Sequence, residues 1–118
     1  MDLNRMIATL RKHPDSRKIG MIASHLGVVR GSSRDGRPVE AMDVVVDHGR
    51  VEKILEEVRV LPGIVDVLVD FNEGHLKVGE EILAVAVAGD IRENVFDALM
   101  RTVKRIKAEA SRKEELYL

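Results

Sequence analysis

The amino-acid sequence predicts an α+β fold, a mainly antiparallel sheet with helices packed on it. Three observations carry that prediction. Three stretches repeat apolar residues at helical spacing: Leu3, Met6, Ile7 and Leu10; Val51, Ile54, Leu55 and Val58; and Val95, Phe96, Leu99, Val103 and Ile106. Between them lie β-like runs, Lys18 to Arg30, Val39 to Val46, Val65 to Phe71 and Ile82 to Ala88. The resulting order, α-β-β-α-β-β-α with short connections, suits helices on one face of an antiparallel sheet.

Each element has its own signals. The first helix, over 2–12, stops before Pro14. In the following strand Ile19, Met21, Ala23 and His25 share one face. A polar loop, Gly31-Ser32-Ser33-Arg34-Asp35-Gly36-Arg37-Pro38, then carries an Asp-Gly turn signal. Asp47 can cap the second helix, which Pro62-Gly63 ends. Val65, Val67, Val69 and Phe71 alternate with Asp66 and Asp70, the pattern of a half-buried strand. Gly74 to Gly79 reads as a turn or short strand, and Asp90-x-x-Glu93 as a capping box that opens the last helix. Ser111-Arg112-Lys113-Glu114 reads as a polar tail.

Composition narrows the function classes. A chain of 118 residues suits a single domain, expected to span 1–118 with 1–14 as an added N-terminal helix. With 19 basic and 20 acidic side chains the net charge is −1, which argues against nucleic acid as a partner. Aromatic residues make up only 3%, leaving few platforms for stacking bases or sugars. Cysteine is absent, so a disulfide framework, a thiolate nucleophile and a Cys-based metal site are excluded. Any sulfur chemistry must therefore use sulfur brought by a partner. No apolar run approaches the ~18 residues of a membrane span, and the expectation is a cytoplasmic protein with no membrane partner.

The residues alone offer anion sites rather than a reaction. His13, His25, His48 and His75 show no metal-ligand spacing, so no metal site is expected. Neither a P-loop nor a Gly-x-Ser-x-Gly elbow is present. The loop from Gly31 to Arg37, with Arg30 beside it, has glycines, serines and three arginines. That composition fits either a solvated hairpin connection or an anion-binding loop. Arg101, Lys104, Arg105 and Lys107 gather towards the end of the last helix, where cations complement the helix dipole.

An ordered set of three motifs goes further. Gly20-Met21-Ile22 leads to Gly27-Val28-Val29-Arg30-Gly31, then Gly36-Arg37-Pro38-Val39 and Ala41-Met42. Next comes Gly74-His75-Leu76-Lys77-Val78-Gly79-Glu80 before an apolar strand. Last, Arg92 and Phe96 lead to Ile106-Lys107 and Lys113-Glu114. Over about residues 18–115 the chain resembles the large, catalytic subunit of molybdopterin synthase, as a divergent member. The resemblance implies that family's α+β fold and its reaction. Sulfur passes from the thiocarboxylate on the C-terminal Gly-Gly tail of a small ubiquitin-like subunit to cyclic pyranopterin monophosphate, forming the dithiolene of molybdopterin. It implies no cofactor, a homodimer of large subunits with a small subunit at each outer end, and a pterin phosphate substrate. Lys107 and Lys113 match the family's two active-site lysines. Val28, Val29, Arg30, Ile91, Arg92, Glu114 and Glu115 fall at its substrate-binding positions, with Arg30 suited to a phosphate.

Arg92 and Lys107 lie fifteen positions apart on one expected helix. At ~1.5 Å rise per residue their backbones stand ~22 Å apart, so one small pterin reaches both only if a second protomer supplies Arg92. The chain also departs from the family pattern. Ile91 replaces the His of a His-Arg pair, His25 replaces an aromatic, Phe71-Asn72 replaces another His-Arg pair, and the aromatic stretch before Lys113 is missing. Two other readings accompany the enzyme: a non-catalytic paralogue, and an α+β module that binds an anionic ligand or a Gly-Gly protein tail.

Overall fold

A computed structural model describes residues 1–118. The architecture is α+β, as the sequence predicts, but its strands form two antiparallel three-stranded sheets. Helix α1 (Leu3–Arg11) and a short 3₁₀ turn (Ser16–Lys18) precede β1 (Met21–Val28) and β2 (Val39–Val46). Then follow α2 (His48–Arg59), β3 (Ile64–Phe71), β4 (Gly74–Lys77), β5 (Glu81–Gly89), α3 (Arg92–Arg105), a π turn (Ile106–Ala110) and β6 (Ser111–Tyr117). The first sheet has the order β1-β5-β3 and the second β4-β2-β6. No helix is long and apolar enough to cross a membrane.

β5 explains itself. It is central in its sheet and covered on both faces, so its run Ile82-Leu83-Ala84-Val85-Ala86-Val87-Ala88 is buried throughout. Leu83, Val85 and Val87 join the main core with Val51, Ile54, Leu55 and Val58 of α2 and Val95 and Ala98 of α3. Ala86 and Ala88 face the other way and receive Leu10 of α1, with Met6, Ile22, Val65 and Leu68 around it. The small side chains on that face let α1 approach closely. Leu10→Ala is expected to cost about 2–5 kcal/mol, read as a lower urea midpoint, because it empties the centre of this second cluster. The cavity described below lies on the other side of the sheet and should keep its ligand affinity.

Three local expectations are corrected. β6 is a strand, not a polar tail: its backbone pairs with β2 from Val39↔Tyr117 to Val46↔Ser111. The Asp90-x-x-Glu93 capping box does not form. Ile91 is the cap residue without a side-chain bond, while Asp90 accepts from the Ile91 N–H at 2.6 Å and from Asn94 Nδ2 at 2.9 Å. Asp90 is held one residue short of the cap by its own N–H bond to the Gly63 carbonyl. Gly63, at φ +79°, permits this approach, since a Cβ there would run into Asp90 and Asn94. Finally, Phe96 does not face the core. The buried side of α3 runs through Val95, Ala98 and Thr102, which turns Phe96 and Met100 outward at 52% and 57% exposure.

Candidate functional site

Three elements converge on one cavity of about 560 Å³. The first is the end of β1. Met21 and Ala23 pack against the main core, which sets one face of the strand, and His25 and Gly27 continue it by the two-residue period. The pairing with β5 slips between Gly27 and Val28. The alternation of exposed and inward residues runs on past this slip. Val28 turns outward, 45% exposed and lining the cavity, whereas Val29 is 2% exposed in the core. The Val29 backbone is also occupied, its N–H on the Glu80 carbonyl and its carbonyl taking the Gly79 N–H.

The second element is the loop between β1 and β2, which is tied to itself. The Ser33 N–H donates to the Arg37 carbonyl at 2.9 Å, the Arg37 N–H donates to Ser33 Oγ at 3.1 Å, and Ser33 Oγ also bonds Asp35. That bond and the Arg37 N–H hold the Asp35 carboxyl below its usual range. Gly36, at φ +86°, closes the turn. The Arg37 guanidinium stacks 3.8 Å over the Tyr117 ring, anchoring the loop to β6. Arg30 and Arg34 are left to the cavity, with Ser32. Arg30 Nε donates to the Ser32 carbonyl at 2.8 Å, which fixes the plane of the guanidinium.

The third element is the end of α3 and the strand that follows. Helix α3 runs into the π turn Ile106–Ala110, and this wider turn presents Lys107 at the cavity. Glu109 locks the turn. It accepts from Arg105 Nε at 2.8 Å and pairs with Arg50 of α2, while Arg105 also reaches Glu57 at 2.8 Å. The Arg105 and Arg50 hydrogen bonds push the Glu109 carboxyl down to about 2. The Arg105 guanidinium is shifted upward by the Glu109 and Glu57 hydrogen bonds. A carboxyl depressed on folding stabilises the fold fully above its unfolded value near 4.5, and this contribution fades as pH falls towards 2. Glu109→Gln should therefore flatten the drop in melting temperature across that window, measured against the parent chain in the same buffers.

β6 then alternates. Ser111, Lys113 and Glu115 line the cavity, and Glu114 lies on the other face. Burial among the cavity walls, and then the charge of Lys107, lower the Lys113 pKa. The same order of causes, burial, Lys107 and Lys113, lowers that of His25. The lining thus holds four cations, Arg30, Arg34, Lys107 and Lys113, against one carboxylate, Glu115. None of the four takes part in any of the chain's ion pairs. Unneutralised cations around a concave space of this size form a receptor for a small polyanion.

Of the residues proposed from the sequence, Val28, Arg30, Lys107, Lys113 and Glu115 meet here. Val29 lies in the core, Glu114 faces away, and Ile91 and Arg92 stand exposed at the opposite end of α3. Sequence reasoning did not select Ser32, Arg34, Ser111 or His25. Arg34 had a signal in the anion-binding composition of its loop. His25 had one in the strand face it shares with Met21 and Ala23.

Comparison with known proteins accords with this fold. The model of the MoaE protein family matches residues 1–109, a span that includes α1. An uncharacterised protein of Methanocaldococcus jannaschii is 31% identical over 94 residues, covering 76% of this chain and 79% of its own. The structure of molybdopterin cofactor biosynthesis protein E from Burkholderia multivorans superposes with a TM-score of 0.74 at 31% identity, over 100% of this chain and 82% of that one. A complex of subunits 1 and 2 of the molybdopterin-converting factor from Helicobacter pylori shares the fold, with a TM-score of 0.71 at 14% identity, over 99% and 84% of the two chains. The chain belongs to the MoaE family, as a divergent member of the molybdopterin synthase large subunits.

Proposed function

We propose that this chain works in molybdenum cofactor biosynthesis as the large subunit of molybdopterin synthase. It takes sulfur from the thiocarboxylate that ends a small subunit's Gly-Gly tail and places it on cyclic pyranopterin monophosphate to make the dithiolene. The observation that carries this reading is the gathering of Arg30, Arg34, Lys107 and Lys113 around one cavity in a chain without cysteine. Both reactants are anionic, and the sulfur must come from outside.

In this reading the arginines hold the phosphate, since a guanidinium fork matches its oxygens. The lysines face the thiocarboxylate and stabilise charge that develops on its carbonyl oxygen. The lowered pKa of Lys113 also eases its release of a proton. Mixing the protein with a thiocarboxylated small subunit and the cyclic pyranopterin tests the proposal. Dithiolene product supports it, and tail binding without product would favour the binding-module reading. Binding of neither reactant would defeat both.

A further inference from the structure

Three of the four histidines have carboxylate partners. His48 Nε2 lies 2.7 Å from Glu73, His75 Nδ1 lies 2.8 Å from Asp43, and His13 Nε2 faces Asp66 at 3.7 Å. The His25 imidazole makes no hydrogen bond or ion pair within the protein and opens onto the cationic cavity. Its neighbour two positions on is Gly27, and the imidazole Nε2 lies 3.3 Å from where a Cβ on that glycine would stand. The missing side chain gives the ring room to lie along the strand. The groups facing it are Arg30 and Arg34 from the loop, Lys107 from the π turn, and Lys113 and Glu115 from β6, with Ile82 and Leu83 of β5 supplying an apolar wall. A ring among cations and without a carboxylate partner stays neutral at pH 7, in agreement with the direction of its shift.

The sulfur-transfer reading creates a use for a neutral base there. Once the thiocarboxylate sulfur has bonded to a substrate carbon and displaced an oxygen from it, the tail's acyl carbon is joined to that sulfur as a thioester. The sulfur stays behind only if another oxygen replaces it on that carbon. We propose that His25 is the proton acceptor for the water that releases the carrier tail. The water oxygen bonds to the acyl carbon while one of its protons passes to the imidazole. The C–S bond then breaks with its electron pair on sulfur, which remains on the substrate as a thiolate facing the lysine ammoniums. The tail departs as a carboxylic acid and ionises, and nothing is oxidised or reduced.

This assignment rests on the function proposed above, and single-turnover reactions separate the two. Wild-type protein, thiocarboxylated small subunit and cyclic pyranopterin are mixed, quenched, and followed by product formation and by the intact mass of the small subunit. His25→Gln is expected to slow tail release by about a hundredfold or more, the usual contribution of a positioned base. It should accumulate small subunit carrying the substrate's mass, and lose the wild-type inflection below pH 6.5. His25→Ala should regain part of its rate with added imidazole. A wild-type rate and pH profile in His25→Gln would overturn the role. So would a slow His25→Gln with no adduct and an unchanged inflection, or a slow His25→Ala that imidazole leaves unmoved, since these mark a packing residue. Wild-type protein that forms neither adduct nor product would overturn the sulfur-transfer reading, and this role with it.

Discussion

Lys107→Ala is expected to lower dithiolene formation by about a hundredfold to a thousandfold, the range for removing one donor that stabilises a developing oxyanion. The chain should fold normally, because Lys107 is exposed, makes no ion pair, and sits on a turn held by Glu109 rather than by its own side chain. A melting temperature near that of the parent chain would separate lost chemistry from lost structure. The loss should also reach beyond one donor. Lys107 contributes to the downward shifts of both His25 and Lys113, so its removal lets both pKa values rise towards their ordinary ranges. The acid limb of any residual activity should accordingly move to higher pH. Lys107→Arg keeps the charge and tests whether a compact ammonium is required. Single-turnover assays at several pH values read all three effects, and an alanine variant that runs at the parent rate would remove Lys107 from the reaction.

The fold was readable where side-chain periodicity follows burial. Val51, Ile54, Leu55 and Val58 form the buried stripe of α2 that their spacing indicates, and β5 is buried along its length as its apolar run requires. Periodicity failed where the backbone makes the structure. β6 is held by its ladder to β2, and Arg112, Lys113 and Glu114 carry no apolar alternation to reveal it. The π turn uses the same residue types as the helix before it, so nothing in Ile106–Ala110 marks the wider turn. The site shows the same division. Arg30, Lys107 and Lys113 were found through motifs, and they meet at one cavity. The motif also names Val29, but this residue continues the strand face of Met21 and Ala23 and lies in the core with them. His25 gains its meaning from lysines more than eighty positions away, a relation that only the folded chain displays.

Arg92 carries the second large prediction. It stands outside the cavity, at the far end of the helical segment that leads to Lys107. On α3 it lines up with Phe96 and Met100 at four-residue steps, and Ile91, 53% exposed, lies beside it. An outward apolar strip with an arginine in line is a surface suited to another protein, and we infer that a second copy of this chain covers it. Each cavity would then receive Arg92 from the partner while keeping its own Lys107. Arg92→Ala and Lys107→Ala proteins should each be nearly inactive alone, for different reasons. Mixed and allowed to exchange subunits, they should recover about one-quarter of wild-type activity. Half of the dimers at random assortment are mixed, and a twofold arrangement leaves one complete site in each. Phe96→Asp should block both the recovery and the dimer itself, read by light scattering. A mixture that stays inactive while exchange is demonstrated would place Arg92 and Lys107 in the same site of one chain, against the ~22 Å that separates them along the helix, and an Arg92→Ala protein that is fully active alone would remove Arg92 from the site.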